Sequence, residues 1–130
     1  MGMTLETARR LKLARYPQPE YLKYKDGQCF LSSTEQPIVF SKGQFIEYKT
    51  GRMYSENIGV VFYYAPPVEE LLQHPFFRNS EIGYVYADSW QVRTTDPEDG
   101  YEKYFYGPDI YDLLGTLLAE HLEKQNNEGQ

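Results

Sequence analysis

An apolar stripe near the end of the sequence constrains the fold more than any other feature. One helix face is apolar at every position except a single histidine: Ile110, Leu113, Leu114, Leu117, Leu118, His121 and Leu122. This spacing predicts an amphipathic helix over residues 109–123, with Asp109 as its N-cap. Burying the large aliphatic side chains gains on the order of 10 kcal/mol before ordering costs. We therefore expect this helix to pack on a core and to anchor the fold.

Two other helices are predicted upstream of this stripe. Thr4 can cap a helix that carries an apolar residue at every third position, and Pro17 and Pro19 prevent that helix from continuing. A short middle helix opens at Pro67, because proline fits the first helical turn, and it ends before Pro75. The chain therefore begins and ends with a helix and has a third in between.

Short apolar and aromatic runs between turn-forming residues predict β-structure elsewhere. The strands are expected within residues 28–54 and over residues 58–64, 82–86, 90–94 and 101–106. Residues 58–64 lack alternation, which predicts burial on both faces and a central position. The sequence thus predicts an α+β fold, in which an antiparallel sheet of about five to seven strands carries the C-terminal helix.

Length and composition suit a single packed domain. The chain has 130 residues, of which 41% are hydrophobic and 25% are charged. These values are typical of a globular protein that can bury a core. We expect residues 1–124 to form this domain, and the polar residues 125–130 to form a flexible tail.

Cysteine content and charge narrow the expected location and partners. Cys29 is the single cysteine, so no internal disulfide can form, which favours a reducing compartment. The sequence has no N-terminal signal and no apolar run long enough to span a bilayer. We expect a cytoplasmic protein that does not contact membranes. A net charge of −6 argues against nucleic acid as a partner, since phosphate binding needs an excess of lysine and arginine.

Thirteen tyrosines are the unusual feature of the composition. In one interpretation they fill half-buried strands, where aromatic residues are favoured. In the other they form a recognition surface, since tyrosine combines a large ring with a hydrogen-bonding hydroxyl. The residues that we expect on such a surface lie in the last strands: Tyr84, Tyr86, Trp90, Arg93 and Tyr104.

The sequence shows no catalytic, metal-binding or phosphate-binding motif. His74 is expected to be exposed at the end of a helix, whereas His121 either reaches solvent or meets a second subunit. Two histidines and one cysteine are too few for a zinc site. Nothing marks Cys29 as an activated nucleophile. We therefore expect no catalytic residue, no metal, no cofactor and no enzymatic activity.

Several segments resemble small proteins encoded by bacteriophages and prophages. Residues 4–12 (TLETARRLK) and 16–19 (YPQP) are similar to the opening helix of those proteins. Residues 67–72 match their middle helix, Trp90 matches their Trp-bearing strand, and residues 107–122 match their closing helix. The resemblance implies an origin in a mobile element. It implies no chemistry, because the family has no assigned activity.

The last third of the chain is also similar to the HicB-type antitoxin module. A hairpin, a further strand and a Gly-opened amphipathic helix are shared, although residues 107–113 lack the Thr and Ala of the usual helix start. This second resemblance concerns the fold alone.

Three functional hypotheses follow. The first is a non-enzymatic protein-interaction or regulatory module of phage or prophage origin, acting on a host or phage protein and forming a homodimer. The second is a small-molecule or nucleotide-binding domain with a pocket lined by Tyr84, Tyr86, Trp90 and Arg93. The third is an antitoxin-like module, which predicts a toxin gene beside its own.

Overall fold

The computed structural model describes residues 3–20, 23–54, 61–85, 89–95 and 99–128. The helices are α1 (Leu5–Leu13), α2 (Val68–Leu72) and α3 (Ile110–Glu128), and Pro75–Phe77 form a short 3₁₀ helix. The strands are β1 (Cys29–Ser32), β2 (Pro37–Ser41), β3 (Gln44–Glu47), β4 (Met53–Tyr54), β5 (Phe62–Tyr64), β6 (Glu81–Val85), β7 (Ser89–Thr95) and β8 (Glu102–Gly107).

The described strands form two antiparallel sheets, and the α+β class is confirmed. The larger sheet has the order β4-β3-β2-β1-β5, and the smaller has the order β6-β7-β8. The division falls where α2 and the 3₁₀ helix separate β5 from β6 along the chain. Each sheet is therefore built from strands that follow one another in sequence, which the strand pattern alone did not reveal.

Helix α3 packs on the smaller sheet, as the apolar stripe predicts, and also on α1 and α2. Leu114 and Leu118 are fully buried. Asp109 is confirmed as the N-cap, because its Oδ1 accepts the backbone N–H groups of Tyr111 at 2.9 Å and Asp112 at 3.4 Å. The apolar face of α3 therefore packs against α1, α2 and the smaller sheet in one core.

The end of α3 lies beyond the predicted boundary. Residues 125–128, which were expected to belong to a flexible tail, continue the helix as far as Glu128. The Asn126 side-chain amide donates to the Ala14 carbonyl at 2.9 Å. This bond satisfies a carbonyl at the C-terminal end of α1, and it holds the last turns of α3 against that helix.

Helices α1 and α3 lie side by side and run in the same direction. Near their N-terminal ends, the Thr4 N–H donates to the Asp112 carboxylate at 2.9 Å. Towards their C-terminal ends, the Arg10 guanidinium donates to Glu123 at 2.9 Å. Because both contacts advance along both helices, the first and last helices of the described chain form one layer.

Gly115 lies on this helix contact. A Cβ at this position would come within 2.8 Å of both Thr7 Cγ2 and Met3 Cε. The Met3 methyl can move, but Thr7 is buried and β-branched, which restricts its rotamer. We expect Gly115→Ala to lower the free energy of unfolding by about 1–3 kcal/mol in urea denaturation, although alanine favours helix over glycine by about 1 kcal/mol.

The matched background for this prediction is Thr7→Ser. Serine removes the obstructing methyl and keeps the hydroxyl, so Gly115→Ala should cost less in that background than in the wild type. Equal costs in the two backgrounds would show that the Thr7 methyl is not the obstacle.

One face of the larger sheet carries an aromatic core. Phe30, Phe40 and Phe45 are buried, and the Phe45 ring centroid lies 5.5 Å from Phe30 and 5.1 Å from Phe40. Tyr24 covers the three rings at centroid distances of 5.1–5.8 Å. These tilted and edge-on arrangements are the favoured geometry for aromatic pairs.

Strand β5 lies at the edge of the larger sheet, which corrects the predicted central position of residues 58–64. Residues 58–60 lie outside the described residues. Tyr64 faces the aromatic core, whereas the Tyr63 ring faces α1 and lies 5.4 Å from the Arg9 guanidinium and 5.1 Å from the Lys12 ammonium. A covering helix, instead of a second neighbouring strand, therefore explains the lack of alternation.

Candidate functional site

The register of the smaller sheet separates the residues that were predicted to form one recognition surface. Tyr84 lies opposite Trp90, and Arg93 lies opposite Tyr104. Because side chains alternate along a strand, Trp90 and Arg93 point to opposite faces. Tyr84 and Trp90 share the inner face, which packs on α3, and Arg93 and Tyr104 share the outer face. These residues therefore do not line a single pocket or surface, and Tyr86 lies outside the described residues.

The outer face of the smaller sheet is polar and carries two exposed rings. The Arg93 guanidinium pairs with Glu81 at 2.5 Å and lies 3.6 Å from Glu102. The Tyr104 hydroxyl donates to Glu102 at 3.0 Å, and this hydrogen bond raises the pKa of Tyr104. Tyr104 and Tyr106 are 49% and 58% exposed. The face can therefore offer oriented rings and one fixed cation to a partner.

Among the described strands, β6 forms an open edge of the smaller sheet. The strand stands at one end of the order β6-β7-β8, and four of its five residues are exposed. Ile82 and Tyr84 are 37% and 58% exposed, and the Tyr84 ring packs edge-on against Trp90 at 5.1 Å. Sequence reasoning identified this strand but missed its edge position, which depends on long-range pairing.

A cleft lies beside β1 in the larger sheet. Its centre is a ridge in which the Tyr111 hydroxyl donates to the Ala65 carbonyl at 3.0 Å and the Ala65 N–H donates to the Cys29 carbonyl at 2.9 Å. On one side is an apolar hollow of about 280 Å³. Its walls include Met3, Leu31, Pro37, Val39 and Tyr48.

The other side of the ridge is a polar hollow of about 620 Å³. Its walls include Lys25, Asp26, Glu69, Glu70 and Tyr64. The Cys29 thiol is exposed at the ridge, and partial burial by the walls raises its pKa, which favours the protonated form over the nucleophilic thiolate. Sequence reasoning missed the cleft, because three distant segments build it.

Glu70 joins the segment after α1 to β5 at the wall of this cleft. The Tyr16 hydroxyl donates to its carboxylate at 2.5 Å, and the Tyr64 hydroxyl donates at 2.8 Å. Both tyrosines are buried, so burial and the hydrogen bond to Glu70 raise both phenol pKa values above the ordinary value. One carboxylate thus satisfies two buried hydroxyls.

The two histidines lie together at the junction of α2 and α3. The Phe76 ring stacks on His121 at a centroid distance of 4.4 Å, and His74 lies 6.1 Å from His121. His74 is half-buried instead of exposed, because its Nδ1 accepts the Phe76 N–H at 3.1 Å. Burial lowers its pKa. His121, the one polar residue of the apolar stripe, therefore packs against an aromatic ring of the same chain.

Within the described ranges, no three His, Cys, Asp or Glu side chains are grouped closely enough to hold a metal ion. No helix in that part of the chain combines the length and the apolar character needed to cross a membrane. No protein-family model, curated protein or solved structure matches the chain significantly.

Proposed function

We propose that the protein is a non-enzymatic protein-interaction module that works as a homodimer. The observation that carries this proposal is the open edge of β6, where Ile82 and Tyr84 are 37% and 58% exposed. An edge strand with apolar side chains is a template for pairing with another strand. Pairing with another strand would bury these side chains.

A second copy of the chain fits this edge. When two β6 strands pair antiparallel about a two-fold axis at Gly83, Ile82 of each copy lies opposite Tyr84 of the other. Glu81 then lies opposite Val85, so that the two glutamates lie at opposite ends of the paired strands and like charges do not face each other. The edge is therefore self-complementary, as a two-fold interface requires.

Pairing through β6 would join the two smaller sheets into one continuous sheet. The outer faces of both copies would then lie side by side, each with Arg93, Tyr104 and Tyr106. Tyrosine and arginine are enriched where proteins bind each other. This joined face is the surface that we propose for a further protein partner of phage or host origin.

An antitoxin role is a separate hypothesis for the same module. It requires a toxin gene beside this one, so the identity of the adjacent gene distinguishes an antitoxin from other interaction modules.

Cross-linking at the two-fold axis tests the homodimer. Gly83→Cys in a Cys29→Ser background places thiols on facing strands, whose Cα atoms lie about 4.5–5.5 Å apart, within the range for a disulfide. A Cβ at residue 83 meets no atom within 4 Å, so the substitution fits the fold. We expect mild oxidation to give a covalent dimer on a non-reducing gel. Tyr101→Cys in the same background, at a side chain that is 72% exposed, is the control and should stay monomeric.

The same interface predicts the effect of added charge. Tyr84→Lys should weaken dimerisation at least about tenfold in sedimentation, because it replaces two apolar contacts with Ile82 and places two ammonium groups as diagonal neighbours across the axis. Tyr48→Lys, at a ring that is 77% exposed on the larger sheet, is the matched control. A wild-type protein that sediments as a monomer, with no cross-linking at residue 83 above the control, would rule out the homodimer.

A further inference from the structure

The cleft beside β1 has two hollows of contrasting chemistry that share one ridge. Cys29, Ala65 and Tyr111 line both hollows, and the backbone and hydroxyl bonds of Ala65 hold the ridge in place. Small-molecule sites usually have volumes of about 300–1,000 Å³ and combine apolar walls with a few polar groups. The apolar hollow of about 280 Å³ and the polar hollow of about 620 Å³ therefore suit the two ends of one small amphipathic molecule.

The charge of the polar hollow selects the kind of head group. Three carboxylates line it, from Asp26, Glu69 and Glu70, against the single ammonium of Lys25. A concave wall with an excess of negative charge raises the local concentration of cations and repels anions. The ring of Tyr111 lines the same hollow, and organic cations bind to the faces of aromatic rings.

The apolar hollow selects the rest of the molecule. Leu31 and Val39 of the larger sheet line its walls, and the largely exposed Tyr48 ring lies at its rim. These walls offer no charged group to a ligand, so a hydrocarbon chain or ring gains free energy by leaving water there. A molecule that is charged at both ends does not fit this arrangement.

We propose that this cleft binds a small organic ammonium ion with an apolar body. The body occupies the apolar hollow, the ammonium group lies in the polar hollow beside Glu69 and Glu70, and the chain crosses the ridge at Cys29. The proposal does not depend on pairing through β6, because no residue of β6 lines either hollow. The polar hollow is formed by the segment before β1, the start of β1, the segment after β5, α2 and the first turn of α3.

The sole cysteine provides a direct readout, because its thiol lies on the ridge that the ligand crosses. Labelling of Cys29 by the uncharged reagent 4,4′-dithiodipyridine is followed at about pH 8.5, where enough thiolate is present. Three probes with the same hydrocarbon chain are compared: n-octylammonium, 1-octanol and octanoate. We expect octylammonium to slow labelling in a saturable manner, with an affinity at least about tenfold higher than that of octanoate. Octanol should fall between them.

Two exposed positions separate the cleft from the rest of the surface. Glu69→Gln should weaken protection by octylammonium about two- to fivefold and leave octanol unchanged, and Tyr48→Ala should weaken both. Glu6→Gln, an exposed carboxylate on α1, is the matched control and should change neither. Equal protection by all three probes, no protection by octylammonium, or protection that neither cleft variant alters would each overturn the proposal.

Discussion

Leu118→Ala is expected to lower the free energy of unfolding by about 3–5 kcal/mol. Leu118 is fully buried in α3 and belongs to the core shared by α1, α2 and the smaller sheet. Truncation removes buried methyl groups and leaves a cavity that the surrounding elements cannot fill completely. Urea denaturation followed by circular dichroism measures the loss as a lower midpoint with an unchanged slope.

Leu13→Ala is the matched control for this prediction. It makes the same chemical change in α1 at a side chain that is 77% exposed, so the free energy of unfolding should shift by no more than about 0.5 kcal/mol. A loss below about 1 kcal/mol for Leu118→Ala would show that this face of α3 is not packed in the core.

Stability is expected to fall steeply above about pH 10, at a rate approaching roughly 4 kcal/mol per pH unit. Burial raises the pKa of Tyr16, Tyr64 and Tyr111, and Glu70 raises the first two further by accepting their hydroxyls. In the unfolded chain these phenols ionise near pH 10.0. The folded state therefore holds more protons above that pH, and ionisation favours unfolding. Below pH 10.0 the phenols are protonated in both states and the effect vanishes.

Urea denaturation at a series of alkaline pH values measures this dependence. Tyr64→Phe removes one of the three phenols, so the slope should fall by roughly 1.4 kcal/mol per pH unit. Tyr101→Phe, at a ring that is 72% exposed, is the control and should keep the wild-type slope. A stability that is flat between pH 10 and the onset of unfolding would show that these hydroxyls are not held in the core.

The helices could be predicted from the sequence because their signals are local. The caps at Thr4 and Asp109 and the spacing of the apolar residues depend on neighbours within a few positions. The end of α3 was missed for the same reason. The hydrogen bond from Asn126 to Ala14 joins residues that are 112 positions apart, and no local pattern reports it.

The strands were found, but their arrangement was predicted only in part. The separation of Trp90 from Arg93 could have been deduced, since residues three positions apart in a strand face opposite ways. The edge positions of β5 and β6 could not, because they depend on which strands meet in space. An aromatic run covered by a helix looks the same in sequence as a run between two strands.

The cleft was beyond sequence reasoning for a different reason. Cys29, Ala65 and Tyr111 come from three elements, and none belongs to a motif with its neighbours. Lys25 and Glu69 reach the polar hollow in the same way, from segments far apart along the chain. The folded chain brings the first three together through two hydrogen bonds, from the Tyr111 hydroxyl to the Ala65 carbonyl and from the Ala65 N–H to the Cys29 carbonyl.

The pairing of α1 with α3 has a consequence for the newly made chain. Thr4 and Asp112, which meet in the folded protein, are separated by 108 positions. At a synthesis rate of about 5–20 residues per second, α1 waits roughly 5–20 s for α3 to be made. During that time Ala8 and Leu11, both fully buried in the finished protein, lack the helix that covers them. The emerging chain therefore exposes the apolar face of α1 to solvent until α3 has been made.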